Sequence, residues 1–216
     1  TTKDLGDIMI PSMQSIDEDG CVRMIPNEEL GIHLDGPIIL MLDEIGKANQ
    51  AVKNAMLRLI QERQIGSYSL HPDSVVFATT NKGSEGVGDI LPAHVRNRMI
   101  VVQIKKTDHM DWIEWGINNN IDHSLLGWVK DNPHLMASFE DIKDPSENPY
   151  IFDPRAQRAA FVTPRSLHSA SDILKSREGI DDITLTAALM GTIGDRGAMD
   201  LMAFVSLSDQ LPTLQS

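Results

Sequence analysis

Three stretches of the chain are apolar without alternation: "IILML" from Ile38 to Leu42, "SVVFAT" from Ser74 to Thr79, and "MIVVQI" from Met99 to Ile104. Runs of this kind predict strands of a parallel sheet covered on both faces. Between the first two, Val52, Met56, Leu59 and Ile60 recur at helical spacing. Asn49 is placed to cap that helix, and Lys53, Asn54, Arg58, Gln61 and Glu62 are expected to point outward, with the end near Arg63. Two hairpins are predicted as well. One spans Ile8 to Pro26 with an acidic turn at Asp17-Glu18-Asp19-Gly20, and the other is "QIGSYSL" around Gly66. Strands alternating with helices imply an open three-layer α/β sheet.

The pattern changes from Thr107 onward. Trp112, Trp115, Leu125, Leu126 and Trp128 predict packed helices, and "KDPSENPYIFDP", residues 143–154, reads as an irregular connection. Thr163 is placed to cap a helix with Pro164 at its first position, where a missing N–H costs nothing. "TLTAALMGTIG" and "AMDLMAFVSLSDQL" predict two final helices parted between Gly194 and Gly197. The expected organisation is an α/β core over 1–106 and a helical domain over 107–216.

Composition narrows the function classes. The 216 residues are 41% hydrophobic, enough for two such domains. The 31 acidic and 19 basic residues give a net charge of -12, which repels phosphate backbones and disfavours a general nucleic-acid binder. Cys21 is the single cysteine, so a disulfide framework is excluded and a reducing, cytoplasmic setting is expected. No window has the length of a membrane span, and "TTKDLGD" lacks the order of a signal peptide. A first residue that is Thr1 hints at processing, a removed tag or a missing upstream segment.

Candidate chemistry gathers at the strand ends, where open α/β sheets collect ligands. Asp43 and Glu44 close the first apolar run, and adjacent residues leaving a strand diverge. One carboxylate can hold a hydrated Mg²⁺ while the other faces an attacking water. Asn81 follows the second run and offers a neutral amide that orients water without competing for the cation. Arg96 and Arg98 in "LPAHVRNRM" suit the charge that develops on a transferring phosphoryl group. Arg165 in "TPR" sits in the first turn of a helix, where a cation opposes the dipole unless an anion compensates. Each also has an ordinary reading: a solvated loop for the carboxylates and Asn81, and surface arginines for the rest.

In this order the four pieces resemble the AAA+ ATPases, and Gly36 to Gln103 looks like the MoxR and dynein-related branch. "IILMLDE" is similar to the Walker B strand, implying Asp43 for Mg²⁺ and Glu44 as the residue that activates water. "VVFATTN" is similar to the sensor 1 strand, implying Asn81. "LPAHVRNRM" is similar to the segment with the arginine finger, implying Arg98 with Arg96 in reserve, and "VTPRSL" resembles the sensor 2 helix of the lid, implying Arg165. The resemblance implies a P-loop NTPase-like core followed by an α-helical lid, ATP with Mg²⁺ as cofactors, and a homo-oligomeric ring that remodels a protein partner. A von Willebrand A domain protein is a partner type the family suggests. Hairpins at "DEDG" and "GSYSL" correspond to family insertions that line the pore or substrate face, or are ordinary surface hairpins. The family's phosphate loop, G-x-x-x-x-G-K-[ST], is absent, since neither "NKGSEGVGDI" nor "GTIGDRGAMD" has its spacing. The family's sheet order, 5-1-4-3-2, implies an upstream segment that carries strand 1 and that loop, and a chain inactive and unstable without them. The alternatives are a non-catalytic scaffold of the same fold and a DNA-directed motor, the latter opposed by the net charge.

Overall fold

The computed structural model describes residues 6–16, 20, 22–81, 93–156 and 158–210. The chain divides into two compact units, Thr1–Val102 and Gln103–Ser216.

In the first unit, β1 (Met9–Ile16) and β2 (Val22–Pro26) form an antiparallel hairpin with Met9 opposite Pro26. The acidic turn at Asp17–Asp19 lies outside the described residues. Next come β3 (Ile39–Leu42), α1 (Gln50–Glu62), β4 (Gln64–Ile65), β5 (Tyr68–Ser69), β6 (Val75–Ala78) and the single turn α2 (Ala93–Arg96). β4 and β5 pair as a small hairpin whose turn begins at Gly66, with φ of 58°. A side chain there would be strained and would press on the Met24 carbonyl.

β3 and β6 pair in parallel, Ile39 opposite Val75 through Leu42 opposite Ala78. Leu40, Leu42 and Val76 pack against a core built from Val52, Met56, Leu57 and Leu59 of α1 together with Ile45 and Ile65. The other face is bare: Ile39 is 77% exposed, and Met41, Val75 and Phe77 are exposed too. Coverage on both faces is therefore not what the described residues provide. An apolar run states what its side chains would bury, not what covers them. The same reason applies to Met99–Ile104, which forms no strand. Ile100 is 95% exposed, and the segment joins no ladder among the described residues.

α1 begins as its sequence implies, with Asn49 Oδ1 accepting the Val52 N–H at 2.9 Å. It ends on Arg63 at φ of 58°, whose Nη2 donates to the carbonyls of His71, Pro72 and Ser74. That contact fixes the C-terminal end of α1 at the N-terminal edge of β6. Lys53 departs from expectation: it is buried at 7% exposure instead of pointing outward. Its position three residues before buried Met56 puts the long aliphatic stem along the apolar stripe.

The second unit holds α3 (His109–Asn118), α4 (His123–Asp131), α5 (Pro164–Lys175) and α6 (Asp182–Gln210). Asp108 and Asp122 cap α3 and α4, and Thr163 forms a reciprocal capping box with Ser166 on α5. Trp112, Leu125, Trp128, Leu167, Leu189 and Leu201 meet in one core. Trp115 is 42% exposed and lies edge-on to the His168 ring instead of joining that core. The irregular 143–154 segment is held by hydrogen bonds. Arg158 Nη1 donates to the Asn148 and Ile151 carbonyls, and the Tyr150 hydroxyl donates to Asp200. No helix of the described residues is long and apolar enough to cross a membrane.

α6 breaks at Gly194, with φ of 83° and ψ of 161°, and a Cβ there would stand 2.7 Å from the Ala160 carbonyl oxygen. Only glycine occupies that region without strain of about 1 to 3 kcal/mol. Gly194→Ala should therefore lower stability by about that much in thermal unfolding. Gly191→Ala, with open space around its Cβ, should instead raise stability slightly, since alanine favours a helix interior.

The carboxyl of Asp181 is held below its ordinary value, first by the Thr184 N–H, then by the Thr184 hydroxyl, with a further N–H from Ile183. A depressed carboxylate pKa contributes stability that is present above the unfolded value and lost as pH falls through the folded one. The helical unit should thus keep this contribution down to the ordinary carboxylate range and lose it at lower pH. Asp181→Ala should remove it at neutral pH and flatten the acid limb of stability, read by far-UV circular dichroism.

Candidate active site

The site is built where the β3–β6 ladder ends. In a parallel pair, alternate residues of one strand bond both ways to the other. Thr79 N–H donates to the Leu42 carbonyl at 3.0 Å, so the next bond in register would run from Glu44 N–H to the Thr79 carbonyl. The chain turns instead. Glu44 takes a left-handed conformation, φ 54° and ψ 43°, which costs a residue with a Cβ about 1 to 2 kcal/mol. Its N–H is taken by the Thr79 hydroxyl oxygen at 3.0 Å, and the Thr79 carbonyl accepts from Ile45 N–H at 3.0 Å. The hydroxyl proton goes to Asp43 Oδ1 at 2.5 Å. One threonine therefore satisfies the corner on which both carboxylates sit.

The two acids are held differently. Asp43 gives Oδ1 to Thr79, and its other oxygen has no partner among the described residues. Glu44 Oε1 pairs with Lys47 Nζ at 2.5 Å across the following turn of 3₁₀ helix, both side chains being about two-fifths exposed at 43% and 40%. Asn81, two residues beyond Thr79, is exposed, and its side-chain amide makes no hydrogen bond among the described residues. Asp43, Glu44 and Asn81 thus leave neighbouring strands at one edge of the sheet.

Arg98 stands apart from the carboxylates. Arg98 is exposed and donates from Nη1 to Gln61 Oε1 at 3.1 Å. Gln61 lies eleven residues along α1 from Gln50, about 16 Å at 1.5 Å per residue. That end of α1 abuts the opposite edge of the sheet through Arg63 and Ser74. Arg98 is therefore not assembled with the carboxylates of its own unit. Arg96 ends α2 and is exposed. Arg165 belongs to the second unit, exposed in the first turn of α5, and its guanidinium has no partner among the described residues.

Thr79 and Lys47 are the residues that pattern reading missed. A signal for Thr79 existed. Aligning Ile39–Leu42 with Val75–Ala78 end to end sets the next residues, Asp43 and Thr79, side by side, and a hydroxyl there can both donate and accept. Lys47 lies three residues beyond Glu44, the spacing of one helical turn.

No group of three or more His, Cys, Asp or Glu side chains able to enclose a metal occurs among the described residues. Asp43 offers a single anionic oxygen with a fixed carboxylate plane. That donor set suits Mg²⁺, which keeps several waters and takes one or two carboxylates plus substrate phosphates. It does not suit a cation that needs an all-protein cage. Compared with known protein families, curated proteins and solved structures, the chain matches none.

Proposed function

We propose that the protein is an ATP-hydrolysing AAA+-type motor subunit that acts on a protein partner as a homo-oligomeric ring. The observation that carries this reading is the carboxylate pair with Asn81 at the C-terminal edge of adjoining parallel strands, tied across them by Thr79. A net charge of -12 favours a protein partner over nucleic acid.

In this reading Asp43, its plane set by Thr79, would hold the water shell of Mg²⁺, and the cation would supply charge neutralisation on the phosphates. Glu44 would accept the proton of the attacking water through a carboxylate oxygen. Asn81 would orient that water or a terminal phosphate oxygen, adding no charge. Arg98, on the far side of α1 from its own Glu44, would serve a neighbouring subunit, and Arg165 is the residue that the family resemblance implies for sensing phosphate. The described residues include no glycine-rich phosphate cradle, so the reading rests on the chemistry of the strand ends.

In the full-length protein, Glu44→Gln should retain ATP binding by isothermal titration while phosphate release falls about 10² to 10⁴-fold, the usual worth of a positioned base. Unchanged turnover would remove Glu44 from the role.

Arg98→Ala should reduce hydrolysis and leave nucleotide binding to a single subunit intact, because a finger supplied in trans contributes about 10³ to 10⁵ to turnover without touching its own site. Rings mixed from Glu44→Gln and Arg98→Ala subunits should regain part of the activity, since some interfaces then pair an intact Glu44 with an intact Arg98. Mixed rings as inactive as either parent would exclude a shared site.

A further inference from the structure

We propose that Thr79 is a positioning residue for the reaction, acting through Asp43 and Glu44 together; the inference rests on the ATPase reading of this site. Its hydroxyl makes two bonds at once. It donates to Asp43 Oδ1 at 2.5 Å, a short bond to a charged acceptor of the stronger class. It accepts Glu44 N–H at 3.0 Å, the donor that the ladder would otherwise direct at the Thr79 carbonyl.

The consequences differ for the two acids. For Asp43, engagement of Oδ1 orients the carboxylate and leaves Oδ2 as the oxygen that would meet the cation's water shell. For Glu44, capture of its N–H by a side chain releases the Thr79 carbonyl for Ile45. This one-residue slip permits the left-handed turn at Glu44 and redirects its side chain away from the strand axis. A valine at 79 has nearly the same shape but neither bond. It would leave Glu44 N–H without this acceptor and Asp43 free to rotate. Serine keeps both bonds.

Outer groups that orient a metal-binding carboxylate typically carry about 10- to 100-fold in metal affinity or activity. In the full-length protein, Thr79→Val should lower kcat by about that factor and raise by a similar factor the Mg²⁺ concentration needed for half-maximal hydrolysis. KM for ATP at saturating Mg²⁺ should change little, and Thr79→Ser should restore both quantities. A purely structural threonine would not move the Mg²⁺ requirement. Equal kcat and Mg²⁺ dependence for valine and serine would overturn the proposal. Should Thr79→Val not fold, Thr79→Ala carries the same comparison with serine.

A second measurement separates this inference from the reading beneath it. Thermal unfolding of the wild type, Thr79→Val, Asp43→Ala and the double variant needs no nucleotide. Thr79→Val should lower the midpoint more in the wild type than in the Asp43→Ala background, because the bond is already gone in the latter. Equal losses in both backgrounds would show that the two side chains are uncoupled and would refute the positioning role. If the wild type neither binds nor hydrolyses ATP, the ATPase reading fails. Coupling in the cycle would then leave Thr79 as the residue that sets the Asp43–Glu44 corner.

Discussion

A parallel ladder has to end, and the way this one ends sets the geometry of the Asp43–Glu44 corner. Beyond Leu42 and Ala78 the strands keep donors and acceptors that need partners. At the entering end, Ser74 Oγ accepts the Ile38 N–H at 3.1 Å, and at the leaving end Thr79 Oγ1 accepts the Glu44 N–H. Hydroxyls thus close both ends of the pairing. Only the second also donates to a carboxylate, so only that end places anionic groups under geometric control.

The unit therefore has two edges with opposite roles. The edge at Arg63 and Ser74 is a structural clasp, where one guanidinium gathers three carbonyls and pins α1 to the start of β6. Arg98 shares that end of α1 through Gln61. The edge at Asp43 and Glu44 carries acidic groups with spare oxygens and the exposed amide of Asn81. The length of α1 separates Arg63 and Arg98 from the carboxylates, whereas Lys47 stands beside Glu44. In the proposed reading Arg98 would serve a neighbouring copy, because it lies with the clasp and not with the carboxylates.

Local rules were readable because they are written in neighbouring residues. Asn49 and Thr163 cap as their side chains demand, Gly66 turns its hairpin, and Gly194 breaks α6. What could not be read depends on residues far apart in the chain. The apolar runs 38–42 and 74–79 imply strands, yet the described residues cover only one face of the pair and leave Ile39 and Phe77 exposed. "MIVVQI" declared a strand with equal strength and joins no ladder among the described residues. Lys53 is buried where its charge implies exposure, because a side chain can be charged at its tip and apolar along its stem. Thr79 stayed hidden because its role depends on the register of β3 against β6, whereas the carboxylates announced themselves by charge.

The two acids also differ in how firmly they are held, and the difference matches the division of labour proposed for them. Asp43 is bound by a hydrogen bond to a threonine whose backbone belongs to the ladder. Glu44 is bound by an ion pair with Lys47 in which both side chains remain substantially exposed. Pairs of that kind contribute about 0 to 1 kcal/mol, little more than thermal energy. A group that anchors a cation must stay in place while waters and phosphates exchange around it. A group that takes a proton from water gains from a side chain that can leave its resting partner at small cost. In the proposed reading the Glu44 carboxylate would exchange Lys47 for water at small cost, while its backbone is held by Thr79.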